Sequence, residues 1–153
     1  MKKGIIVDII SCLYALLFLY TGMNKLVSHD LFVASMQKSP VLHSYAPFLA
    51  ITVPALEIMI ALALAVPLYI YLPRWRTRGL FSGTLLMALF TGYVWYILYT
   101  SSQHLPCSCG GIIQQMNWHQ HLYFNTGFTL LGILACWLNS QLPKEESRKL
   151  AFS

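Results

Sequence analysis

Charge is what this sequence has least of. Asp and Glu number 5 and Lys and Arg 10 among 153 residues, so charged residues make up 10% of the chain, where about 25% is usual for a soluble domain. That shortage excludes a water-soluble globule of this length. Basic patches interleaved with aromatics are also lacking, and the net charge of +5 is scattered among separate segments, which excludes nucleic acid as a partner. Internal repeats and low-complexity tracts are absent too. No small-x-small cleavage site follows the first apolar run, whose end reads Tyr20-Thr21-Gly22-Met23, so that run is read as a retained helix rather than a signal peptide.

What the sequence has in excess is apolar surface: AVILMFWYC residues make up 57%, against about 45–50% in ordinary proteins even with Gly included. Crossing a hydrocarbon layer about 30 Å thick takes roughly 20 helical residues. Four stretches satisfy this, at 5–24, 48–72, 79–100 and 121–138. The expected fold is therefore all-α, a four-helix transmembrane bundle forming a single domain over 1–142, with a polar cytoplasmic tail at 143–153. Between the first two stretches, Asp30 as N-cap followed by Leu31, Phe32, Val33 and Met36 predicts a short interfacial helix ending before Pro40. The segment Pro73 to Arg78 is read as a tight turn between the second and third stretches.

The positions of the basic residues set an orientation, because cytoplasmic loops hold an excess of Lys and Arg. With both termini inside, Lys2, Lys3, Arg74, Arg76, Arg78, Lys144, Arg148 and Lys149 face the cytoplasm, and Lys25 and Lys38 face the other side. All five histidines, His29, His43, His104, His119 and His121, then lie on the extracytoplasmic side together with Cys107 and Cys109. Chemistry is expected there.

Cys107-Ser108-Cys109 follows Pro106 and precedes Gly110-Gly111, a setting that leaves both sulfurs accessible. Across one intervening residue a disulfide is strained, and strained exposed disulfides are labile and oxidising. Cys107 and Cys109 are accordingly candidate catalytic residues in thiol-disulfide exchange, with His121 placed to assist thiol ionisation; the alternative is a structural clip. Joined to His119 and His121, the two cysteines could instead form a soft zinc or copper site. The nine residues between the two pairs are not a regular ligand spacing, and no metal is assigned.

Glu57 falls about ten residues into the second stretch, an expensive depth for a carboxylate, and Lys25 at the outer end of the first is the partner that could reach inward to it. His121, Asn125 and Thr129 share one face of the fourth stretch, so Lys25, Glu57 and Asn125 are expected in one buried polar cluster. Asp8 near the inner surface is expected to neutralise one of the Arg74 to Arg78 group. Close packing is expected at Ser11, Cys12, Ala15, Gly22, Gly79, Gly83, Gly132 and Cys136. Tyr93, Trp95, Tyr96 and Tyr99 crowd the outer end of the third stretch, where an aromatic belt accounts for them and the frame of a quinone ring is the alternative.

These residues resemble the MauE and DoxX family of bacterial membrane proteins, in particular its MauE-like branch. The resemblance rests on Tyr20-Thr21-Gly22-Met23-Asn24-Lys25-Leu26, Ser39-Pro40, Pro54-Ala55-Leu56-Glu57-Ile58, Cys107-Ser108-Cys109-Gly110-Gly111, and Trp118 with His121, Leu122, Phe124 and Asn125. It implies a multi-pass protein of the bacterial inner membrane in extracytoplasmic redox or protein maturation. A thioredoxin-like periplasmic partner is implied as well. MauE-like proteins are linked to methylamine dehydrogenase maturation, and the DoxX side suggests a quinone cofactor. The alternatives are a non-catalytic membrane scaffold or chaperone and a Cys/His metal-handling protein.

Overall fold

The computed structural model describes residues 2–39, 41–70, 72–100 and 117–142. Five α-helices follow one another: α1 Lys2–Val27, α2 His29–Gln37, α3 Ala46–Tyr69, α4 Pro73–Thr100 and α5 Trp118–Ser140. A single turn of 3-10 helix at His43–Tyr45 leads into α3. Among the described residues four helices are long and apolar enough to cross a membrane: α1, α3 with its preceding turn, α4 and α5. Even α5, with 23 residues, extends for about 34 Å at 1.5 Å per residue.

Burial is inverted relative to a protein built for water. Along α1 the large residues Ile5, Ile9, Leu13 and Leu16 are exposed, while Ser11, Thr21 and Lys25 are buried. Glu57 of α3 and His121 and Asn125 of α5 are buried as well. Polar groups turned inward and hydrocarbon turned outward suit a lipid solvent, in which an apolar surface costs nothing to expose and a polar one is costly. The chain is a multi-pass membrane protein whose long helices form a bundle.

Side-chain contacts fix how the helices run. Lys3 Nζ donates to Gln141 Oε1 at 2.7 Å and Arg76 Nη1 meets Asp8 Oδ1 at 3.1 Å, so the start of α1, the start of α4 and the end of α5 share one end of the bundle. Lys25, near the other end of α1, meets Glu57 in the first half of α3, so α1 and α3 are antiparallel. Between these ends, Val7, Tyr14 and Phe18 of α1, Leu64 of α3, Leu80 and Met87 of α4 and Ala135 of α5 pack into one core. A smaller core joins Phe32 and Met36 of α2 to Ala46 and Ala50 of α3.

Two glycines stand where neighbouring helices approach closely. A Cβ on Gly22 would stand 3.3 Å from the Pro54 carbonyl oxygen and 3.3 Å from Glu57 Cβ, so α1 lies directly on the backbone of α3. A Cβ on Gly132 would run into Tyr14 Oη and Thr84 Oγ1, where α5 meets α1 and α4. Ser11, Ala15, Gly79 and Gly83 are buried as small residues at packed surfaces should be. Cys12 is not among them: it is exposed, because it lies about 100° around the helix from Ser11 and faces outward. Cys136 is partly buried, with Sγ 3.7 Å from Thr84 Oγ1.

Several boundaries differ from those read in the sequence. Pro73 to Arg78 is not a turn but the start of α4; a proline fits at the first helical position, where its missing N–H has no partner to lose. Correspondingly α3 ends at Tyr69. Ser28, not Asp30, occupies the N-cap position of α2, and Asp30 lies in its first turn, where a carboxylate complements the helix dipole. At α5, Asn117 and Gln120 form a reciprocal capping box, which fixes where the helix begins.

Candidate functional site

At the Lys25 end of the bundle the helices part around a cavity of about 410 Å³. Every one of α1 to α5 contributes to its lining. Its walls are chiefly apolar, with Phe18, Phe32, Phe90 and Phe124 among them, and its polar groups include Thr21, Lys25, Ser39, Glu57, Tyr93, His121 and Asn125. α2 contributes Phe32, Ser35 and Met36, using the face it also packs on α3.

The Lys25–Glu57 pair is the electrostatic centre of this site. Lys25 Nζ donates to both carboxylate oxygens, Oε1 at 2.6 Å and Oε2 at 2.8 Å. The side chains are 6% and 1% exposed, so neither charge is compensated by water. Glu57 is about 17 Å along α3 from Ala46 at 1.5 Å per residue, and the long aliphatic stem of Lys25 brings the ammonium to it. The ammonium also stands 5.8 Å from the centre of the Phe32 ring and 5.7 Å from that of Phe90, within the range at which ring quadrupoles stabilise a cation. Four helices therefore meet around one charge.

The α5 wall carries His121 and Asn125, 3% and 5% exposed. One turn further on, Thr129 Oγ1 donates to the Asn125 carbonyl at 2.8 Å and lies 3.1 Å from Thr91 Oγ1 of α4. His121, Asn125 and Thr129 thus share the inward stripe of α5, with the first two at the cavity and the third joining α4. His119 is exposed, while His29 is only partly covered and His43 exposed, away from the lining. Among the described residues no group of three or more His, Cys, Asp and Glu is arranged to hold a metal ion. Cys107, Cys109 and His104 lie outside the described residues, as does the tail from Pro143.

The aromatic crowd near the end of α4 divides in two. Trp95, Tyr96 and Tyr99 are exposed at 65%, 47% and 86%, as belt residues are. Tyr93 instead lines the cavity, and its hydroxyl donates to Ser39 Oγ at 3.0 Å. Ser39 Oγ in turn accepts from the backbone N–H groups of Val41 and Leu42 at 3.3 and 3.4 Å. This small network ties the segment after α2 to α4. In the sequence Ser39 stands out only through the Ser39-Pro40 motif, and Tyr93 reads as belt with a quinone frame as the alternative, although it lies one helical turn from the buried Ile97 and the partly buried Phe90, a spacing that marks one face.

The family described as methylamine utilisation protein MauE matches residues 3–138. The chain belongs to that family. The match spans all four long helices, the Lys25–Glu57 pair, the cavity and the segment carrying both cysteines. No curated protein and no solved structure matches the chain.

Proposed function

We propose that this MauE-family protein is a membrane component of an extracytoplasmic thiol-disulfide pathway serving protein maturation. Cys107 and Cys109 are the exchanging pair, and a soluble thioredoxin-like protein is the partner. One observation supports the reading: α4 ends at Thr100 and α5 begins at Trp118, so the described residues on either side of the cysteines stand at the end of the bundle that holds the cavity, with Trp118 in its lining. His121, one turn into α5 and buried at the cavity, is taken as the assisting imidazole, since an imidazole close to a thiol favours the thiolate that exchange requires.

In the exchange, a partner thiolate attacks one sulfur of the Cys107–Cys109 disulfide, and the second partner thiol resolves the mixed disulfide. The partner becomes oxidised and this chain is left with two thiols. The reading takes the membrane to be the bacterial inner membrane, with residues 1–142 as one domain and both termini cytoplasmic. It is supported by the excess of Lys and Arg at one end of the bundle.

Trapping tests it. Cys107→Ser or Cys109→Ser, expressed in the native host, is expected to accumulate a reductant-sensitive complex containing a thioredoxin-like protein. If neither variant traps such a complex and the double variant keeps full function in cells, the thiols are dispensable and the protein acts as a scaffold.

A further inference from the structure

We propose that Arg74 and Arg78, at the end of the bundle opposite the cavity, seat the phosphodiester of an anionic phospholipid. Of the basic side chains described at that end, two are already engaged: Lys3 donates to Gln141 and Arg76 pairs with Asp8. Asp8 is the only acid there among the described residues. The ion pairs among the described residues are Lys25 with Glu57 and Arg76 with Asp8, so Arg74 and Arg78, both exposed, are left without a protein anion. A guanidinium stays charged at any physiological pH, and at a membrane boundary the anion within reach is a lipid phosphate.

Their placement selects a lipid over a soluble anion. Each stands two residues from Arg76, about 200° round α4, and so on the face turned away from the bundle. Being four residues apart, they are neighbours on that face, and two guanidinium forks can close on one phosphate group. The same face continues with Phe81 and Leu85, 65% and 51% exposed. Going inward along α4, the stripe therefore presents two cations and then apolar surface, which is the order of phosphate and acyl chain in a phospholipid. A soluble anion would match the arginines and leave the apolar continuation unused. A zwitterionic lipid also offers a phosphate, but its own ammonium competes with the guanidiniums for it. This inference is independent of the thiol-disulfide reading and of which side of the membrane this end faces.

The test uses the full chain in nanodiscs, with Trp95, Trp118 and Trp137 changed to Phe so that Trp75, 55% exposed and next to Arg74 in α4, is the sole tryptophan. Phosphatidylglycerol or phosphatidylcholine carrying a nitroxide close to the glycerol is added as a minor fraction of a phosphatidylcholine bilayer. Quenching of Trp75 by the labelled phosphatidylglycerol is expected to saturate, with an association constant about fivefold or more above that of labelled phosphatidylcholine. R74Q/R78Q is expected to bring the two lipids to parity, while K3Q, which removes a cation already engaged, keeps the preference. Equal quenching by the two lipids in the chain with both arginines would overturn the proposal without need of any variant. Preference retained in R74Q/R78Q would do the same. So would an equal loss of preference in K3Q, which would show attraction to the whole basic end rather than a site at Arg74 and Arg78.

Discussion

The buried pair at Lys25 and Glu57 raises a question of energy before one of function. Withdrawing both charges from water costs several kcal/mol per ion, which their attraction and hydrogen bonds must offset. Here the offset has visible sources: two short hydrogen bonds to one carboxylate and two ring faces near the ammonium. Such a pair is costly to break and cheaper to remove whole. Lys25→Met leaves an uncompensated carboxylate and Glu57→Gln an uncompensated ammonium, so each is expected to destabilise the bundle by about 3–5 kcal/mol. The double variant K25M/E57Q is expected to cost no more than either single one, because the two residues act as a unit. Reversible unfolding in mixed micelles at increasing dodecyl sulfate reads all three; additive losses would show that the residues serve separate roles.

At the level of elements, α2 is held over the cavity by few ties. Phe32 and Met36 pack on α3, and beyond its end Ser39 is bonded to Tyr93. Losing one such hydrogen bond costs about 0.5–1.5 kcal/mol, or roughly a twofold to tenfold shift in a local opening equilibrium. Tyr93→Phe is therefore expected to speed amide exchange in His29–Gln37 by that factor while leaving the middle of α5 unchanged. An α2 that exchanges at its original rate would mean that Phe32 and Met36 alone seat it. The four long helices were legible from run length, and so was a carboxylate in need of a cation at Glu57. The inward stripe of α4 was not, because in lipid both the packed and the exposed faces are apolar and the helical period in hydrophobicity is weak. For that reason Tyr93 looked like its exposed neighbours Trp95 and Tyr96, and Ser39 like any loop serine. The start of α4 was missed for a related reason: Arg74, Arg76 and Arg78 end the apolar run, but nothing in them ends a helix.

Across the whole molecule, the contacts between helices sort the basic residues by the end of the bundle they occupy. Lys3 bonded to Gln141 and Arg76 to Asp8 bring the start of α1, the start of α4 and the end of α5 to one end of the bundle, and Lys25 and Lys38 belong to the other. The basic residues at the first end are Lys2, Lys3, Arg74, Arg76 and Arg78, joined in sequence by Lys144, Arg148 and Lys149 beyond α5. Short flanks rich in Lys and Arg are retained in the cytoplasm, and every one of these residues lies within about ten positions of a helix end, inside the range over which the rule operates. In the orientation proposed above, the Lys25 end, with the cavity and the anchors of the cysteine segment at Thr100 and Trp118, is the extracytoplasmic one. A chain with Cys12, Cys107, Cys109 and Cys136 changed to Ser gives a blank background for placing a cysteine on either side. Ser44→Cys and Thr77→Cys suit this, since both positions are exposed and sit at opposite ends. In intact cells a membrane-impermeant maleimide is expected to label Ser44→Cys and spare Thr77→Cys, which should react only after the membrane is opened. Labelling in the reverse order would put the cavity end in the cytoplasm, where thiols are kept reduced, and an exchange pathway at that end would lose its oxidising compartment.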